Sequence, residues 1–142
     1  MHAVKDKTED LNLLYKTAIQ SRMEAKEEKE RKNIEKIQIA SDELYNFCID
    51  NLKGKIESNS KEGRNRLRLY SCEAYEKINN LPIIFLAYGG KEEGYQIFNK
   101  LGINSVHMQL GAHFKGSPFR FTIKTRKTPD GQKIIDFDLF WT

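Results

Sequence analysis

Cysteine and long apolar runs are both scarce in this sequence, and each scarcity excludes a class of protein. Only two of the 142 residues are cysteines, Cys48 and Cys72, and they do not form a CxxC pair. Two thiols cannot build the disulfide framework of small secreted domains, so we expect a reducing compartment. No stretch approaches the ~20 apolar residues of a membrane-spanning helix, and the N-terminus lacks the apolar centre of a signal peptide. The sequence therefore predicts an intracellular protein of the cytoplasm or nucleus, with no membrane partner.

Residues that catalyse reactions or bind metals are also few. His107 and His113 fall on different faces of a predicted helix, and no cysteine or acidic pair nearby completes a metal site. A Cys–His nucleophile pair that uses Cys48 or Cys72, and Asp136 with Asp138 as an acid–base pair, are open alternatives. A core cysteine and a solvated ion-pair ladder explain those residues better. We predict no catalytic residue, no metal site and no cofactor, and therefore a protein that is not an enzyme.

Charged and aromatic residues are distributed unevenly along the chain. Residues 1–63 contain 12 Lys and Arg against 13 Asp and Glu, whereas residues 64–142 contain 12 against 7. Residues 64–142 also contain 12 of the 15 aromatic side chains. We therefore expect most of the packed core, and a basic surface, in the C-terminal half.

An amphipathic helix is predicted near the N-terminus, followed by a helical stretch with nothing to bury. Nine of the eleven residues in 22–32 are charged. An apolar stripe over residues 34–56 then predicts a second helix that packs on the core and ends before Gly63. We therefore divide the chain into a projecting helical arm, residues 1–33, and an α+β domain, residues 34–142. The apolar positions of the arm recur every three or four residues: Leu11, Leu14, Tyr15, Ala18, Ile19 and Met23.

From residue 64 onward the periodicity changes. Alternation over residues 64–69 predicts a strand, the apolar run 82–88 predicts a buried central strand, and residues 104–114 predict a short helix. The predicted class is α+β, with long N-terminal helices followed by a four-stranded, largely antiparallel sheet. Its element order is β-β-α-β-β, and a β-hairpin ends the chain.

The register of this C-terminal hairpin is also predicted. The segment Thr128–Gly131 suits a type I turn followed by a left-handed glycine. Counting outward from the turn places Phe119 opposite Trp141 in the core and Thr122 opposite Asp138 on the other face. One face is then apolar and the other carries opposite charges, as expected of a real strand pair.

Basic residues on the predicted strands form the second candidate surface. If their strands lie in one sheet, these side chains share a face that suits contacts with phosphate groups. A sheet face open to solvent must also carry polar residues of some kind. Exposed aromatic side chains for base stacking are not evident, because the aromatic residues of the hairpin mostly fall on the core face. Nucleic-acid binding is therefore the alternative function. The basic positions are Arg64, Arg66, Arg68, Arg120, Lys124 and Arg126.

Six landmarks follow one another from Ile34 onward, over about three quarters of the chain: Lys61-Glu62-Gly63, a strand reaching Tyr70, Ile83–Leu86, Leu101–Val106, Pro118-Phe119-Arg120 and Leu139-Phe140-Trp141. This order resembles that of uncharacterised small proteins encoded by large DNA viruses of eukaryotes. The resemblance implies a viral source and admits a place in the virion. It implies no reaction.

The arm decides the functional hypothesis. An apolar helical stripe joined to the body by a charged span has no partner within the chain, so it needs one outside. We predict a non-enzymatic structural or protein-interaction module, a candidate virion component, that engages itself or a larger assembly through the arm.

Overall fold

The structure is a computed structural model that describes the backbone of residues 3–90 and 96–142 and the side chains of residues 10–90 and 97–142. The chain divides into two compact units, Met1–Glu35 and Lys36–Thr142. The helices are α1 (Ala3–Ile49), α2 (Leu52–Lys61), α3 (Ile83–Tyr88), α4 (Gln96–Leu101) and α5 (Val106–Phe114). The strands are β1 (Arg66–Glu73), β2 (Lys77–Ile78), β3 (Leu81–Pro82), β4 (Arg120–Lys127) and β5 (Lys133–Phe140).

The long helix α1 includes the charged stretch 22–32, as the pairing of opposite charges predicts. Arg31 Nη2 donates to Glu28 Oε2 over 2.7 Å, one helical turn away. The single helix predicted over residues 34–56 is wrong at Asn51, whose φ of 49° separates α1 from α2. Asparagine adopts this left-handed conformation more readily than most residues, and an apolar periodicity does not register a break of two residues.

A three-stranded antiparallel sheet in the order β1-β5-β4 forms the centre of the second unit. The short strands β2 and β3 form a separate antiparallel pair. They are joined at Asn79 and Asn80, which both have positive φ. The α+β class with a long N-terminal helix and antiparallel pairing is confirmed, but the four-stranded sheet of order β-β-α-β-β is wrong.

The apolar run 82–88 accounts for that error, because it forms the helix α3 rather than a central strand. Ile83, Ile84, Leu86 and Ala87 are all buried, so the run has no polar face to show a helical period. A short, wholly buried apolar segment reads the same in either conformation. The flanking residues carry the helical signal: Pro82 precedes the first turn, and Gly89, with φ 84°, closes the last. The central strand is instead β5.

The predicted hairpin register between β4 and β5 is confirmed, including the pair Thr122 and Asp138. Past the ends of these strands, the rings of Phe119 and Trp141 lie 5.9 Å apart between centroids. Both rings are half-buried, rather than in the core as predicted, because Trp141 lies beyond the end of β5. The Trp141 backbone N–H nonetheless donates to the Asn65 carbonyl over 3.0 Å, which attaches this residue to the chain before β1.

The core lies on one face of the three-stranded sheet, where Phe137 of β5 is fully buried. The part of α1 within the second unit reaches the sheet through Phe47, which stacks on Tyr70 of β1 at 5.7 Å. Helix α5 is capped by Ser105 Oγ, which accepts from the Met108 N–H. Its buried residues are Val106, Leu110 and Phe114. This arrangement leaves the opposite face of the sheet to polar side chains.

Candidate functional site

The apolar stripe of the arm consists of residues that the structure leaves largely in contact with solvent. Leu11, Leu14, Tyr15 and Met23 are 66%, 62%, 69% and 57% exposed. Ala18 is exposed and Ile19 is half-buried. Large apolar side chains grouped along a helix and open to water are typical of a surface that binds another protein.

Leu13 lies outside the stripe, on the opposite side of the helix. Its side chain is 63% exposed, almost the same as that of Leu14. Because an α-helix turns about 100° per residue, Leu13 lies about 200° around the axis from Leu11, whereas Leu14 lies within about 60° of it. The two neighbouring leucines therefore differ in position around the helix and hardly at all in exposure.

The charged segment after the stripe contains both signs in nearly equal number. Residues 22–32 include five Lys and Arg against four Asp and Glu. Glu28 pairs with Arg31 and also with Lys32, whose Nζ lies 3.9 Å from Glu28 Oε1. These side chains are exposed pairs along one helix, so they contribute a few tenths of a kcal/mol each to helix stability. A segment that is close to neutral does not repel a second copy of itself.

The second candidate surface is the polar face of the three-stranded sheet, which we call the sheet face. The register places four rows of residues across it, the last with Glu73 and Arg126 flanking Ile134. Arg66 and Arg120 flank Phe140 in the first row, Arg68 and Thr122 flank Asp138 in the second, and Ser71 and Lys124 flank Asp136 in the third. The sheet face also includes Arg126 of β4, whose side chain reaches Asp136.

Two aspartates of β5 lie beneath arginines from both neighbouring strands. Asp136 Oδ2 accepts from Arg126 Nε at 2.7 Å, and Asp138 Oδ1 accepts from Arg68 Nε at 3.0 Å. Burial by itself would raise the pKa of Asp136, but hydrogen bonds from Ser71 and Arg126, together with the positive charge of Arg68, lower it overall. The two carboxylates therefore form an ion-pair ladder, but a buried one rather than the solvated one that the sequence predicts, because Arg68 and Arg126 cover them.

The structure brings five of the six predicted basic residues onto the sheet face. Arg64 is the exception, because it precedes β1 and pairs instead with Glu62, with 3.3 Å between Arg64 Nη1 and Glu62 Oε2. Arg68 and Arg126 form ion pairs with Asp136 and Asp138. The other three are exposed, and within the described residues no carboxylate lies within 4.0 Å of their charged groups: Arg66, Arg120 and Lys124.

Phe140 is the residue of the sheet face that sequence reasoning passed over. Its ring is half-buried, and the Arg66 guanidinium carbon lies 5.4 Å from the ring centroid. The alternation of β5 already placed Phe140 on the same side as Asp136 and Asp138. The signal was missed because the other hairpin aromatics belong to the opposite face.

Neither cysteine has the character of an activated nucleophile. Burial raises the pKa of the Cys48 thiol to about 12, and burial does the same for Cys72, again to about 12. Both thiols are therefore protonated near neutral pH. Among the side chains that the structure describes, no three His, Cys, Asp or Glu residues form a group able to hold a metal ion.

No helix within the described residues is long and apolar enough to cross a membrane. Comparison with known protein families, with curated proteins and with solved structures finds no match for this chain. The resemblance to small proteins of large DNA viruses therefore stays a prediction.

Proposed function

We propose that this protein is a protein-interaction module whose N-terminal arm associates with the arm of a second copy of the chain. The observation that carries the proposal is the exposed stripe, in which Leu11, Leu14 and Tyr15 are each more than 60% accessible. Burying a leucine or similar side chain contributes about 1.5–3 kcal/mol, so covering this stripe is a substantial driving force for association.

A second copy is favoured by the charges that follow the stripe. Two aligned arms bring together segments with five cations and four anions each, which neither repel strongly nor require a partner of opposite net charge. The exposed pairs of Glu28 with Arg31 and Lys32 can exchange partners between two helices at little cost.

The test uses two single substitutions at adjacent positions, Leu14→Asp and Leu13→Asp. Both residues are almost equally exposed, and only Leu14 belongs to the stripe. We expect Leu14→Asp to weaken self-association strongly, because it buries a carboxylate in the interface. We expect Leu13→Asp, the matched control, to change it little. Light scattering over a range of protein concentrations measures both.

A triple variant, Leu11→Asp, Leu14→Asp and Ile19→Asp, extends the test. It should remain monomeric at every concentration. The near-ultraviolet circular dichroism of the protein should stay that of the wild type, because the Lys36–Thr142 unit keeps its fold. Equal effects of Leu13→Asp and Leu14→Asp, or a triple variant with wild-type association, would overturn the proposal. Association of the wild type only with a larger assembly, such as the virion admitted by the sequence resemblance, would replace the second copy as the partner.

A further inference from the structure

The sheet face carries a second, independent surface with a different chemistry. Arg66, Phe140 and Arg120 occupy one row across β1, β5 and β4. Strands in a sheet are about 4.8 Å apart, so the two arginines start about 10 Å apart on either side of the ring. An aromatic ring between two cations, on an open sheet, is a combination that a flat and anionic ligand fits.

The uncompensated positive charge on the sheet face lies in the rows of Phe140 and Asp136. Asp136 and Asp138 neutralise Arg68 and Arg126, and Glu73 lies at the far end of the face, opposite Ile134. The three cations outside these pairs therefore set the potential: Arg66, Arg120 and Lys124. The four residue steps between Arg120 and Lys124 on β4 span about 13 Å, which gives the cations the spread of several backbone phosphates.

From this arrangement we infer that the sheet face binds single-stranded nucleic acid, with one base stacked at Phe140 and Arg66 and with Arg120 and Lys124 contacting phosphates. The Arg66 guanidinium lies over the ring at 5.4 Å from its centroid, so a base stacks either on the guanidinium plane or on the ring after Arg66 moves aside. A duplex does not suit this surface, because its bases are already stacked on one another and present only their edges.

The aspartates of the sheet face do not stand against binding of an anion. Arg68 and Arg126 cover Asp136 and Asp138, which are 5% and 8% exposed. Their charges are therefore already compensated, and they offer little repulsion to an incoming phosphate. The specific element is the aromatic ring, since cations alone would bind any polyanion.

The experiment measures binding of the full-length chain to a fluorescein-labelled single strand of about 16 nucleotides, as DNA and as RNA, by fluorescence anisotropy. Salt is varied from about 50 to 200 mM. With two phosphate contacts, at Arg120 and Lys124, and a slope of ~0.7 for each, log K should fall with log salt with a total slope of about −1.4. The same strand in duplex form should bind several-fold more weakly.

Two variants separate stacking from charge. Phe140→Ala should weaken binding about tenfold, with an unchanged salt slope, because stacking on an aromatic ring does not release counterions. Tyr75→Ala is its matched control, since Tyr75 is a 55% exposed aromatic under a lysine outside the sheet face, and it should have no effect. The triple variant Arg66→Gln, Arg120→Gln and Lys124→Gln should abolish most of the salt dependence.

The charge control is the variant Lys53→Gln, Lys61→Gln and Lys115→Gln, which removes the same number of exposed cations from positions outside the sheet face. It should bind as the wild type does. All variants keep Arg68, Arg126 and both aspartates, so the ladder that stabilises the sheet stays intact, and thermal melts verify folding. The inference fails if the wild type does not bind at about 50 mM salt. It fails equally if Phe140→Ala binds like wild type, or if a poly-glutamate peptide competes as well as the single strand, which would indicate an unspecific polyanion surface.

Discussion

Replacing Trp141 by alanine should destabilise the protein by about 2 kcal/mol, although Trp141 is the residue before the last. Complete burial of a tryptophan or phenylalanine makes its replacement cost about 3–5 kcal/mol. Trp141 is only half-buried, and its backbone N–H bond to Asn65 does not depend on the side chain, so about half of that cost is expected. The contact with Phe119, at 5.9 Å, should account for about 1 kcal/mol of it.

Urea denaturation followed by circular dichroism measures this cost, and Phe137→Ala provides a scale. Phe137 is completely buried in the central strand, so its replacement should cost about 4 kcal/mol, roughly twice as much. A double-mutant cycle with Phe119→Ala isolates the coupling between the two rings. The reasoning is refuted if Trp141→Ala costs less than about 0.5 kcal/mol, or if the cycle gives no coupling. Trp141 is the only tryptophan, so wild-type fluorescence also reports its surroundings, and an emission maximum of full water exposure would contradict the contact.

Two further predictions concern residues of the sheet face, Thr122 and Asp136. Among the described residues, the Thr122 hydroxyl is a buried oxygen without a hydrogen-bond partner, so Thr122→Val should stabilise the protein by about 1 kcal/mol in thermal melts. The pKa of Asp136 is lowered in the folded state. As pH falls through the ordinary value of 3.8, the unfolded state therefore binds more protons than the folded state does. The stability that Asp136 contributes is present above that pH and is lost as pH falls through the folded pKa. Asp136→Asn should therefore be less stable at neutral pH, with a shallower loss of stability between about pH 5 and pH 2; an acid limb as steep as that of the wild type would contradict this.

The hairpin was predictable from sequence because its signals are local. The Thr128–Gly131 turn sets the register, and alternation then assigns every side chain of β4 and β5 to a face. The short helix predicted over residues 104–114 was found for the same reason, because its signals also lie within one segment, and the structure begins it after Ser105.

The pairing of β1 with β5 was not predictable, because it joins residues about 70 positions apart and follows from packing rather than from pattern. The helix α3 was not predictable either, because a fully buried run has no polar face that would show a helical period. The irregularity at Leu69 was not predictable either. Leu69 has no partner in the register, and the alternation of β1 is shifted after it. The position of Phe140 between Arg66 and Arg120 therefore became visible only once the strand order was known.

The central claim, that the arm joins two copies of the chain, is tested most directly by the molar mass of the unmodified protein as a function of its concentration. Sedimentation equilibrium from about 1 µM to about 1 mM covers the range of weak and moderate dimers. We predict a mass that rises from 16.6 kDa toward twice that value as concentration increases. A mass that stays at 16.6 kDa across the whole range would contradict the account.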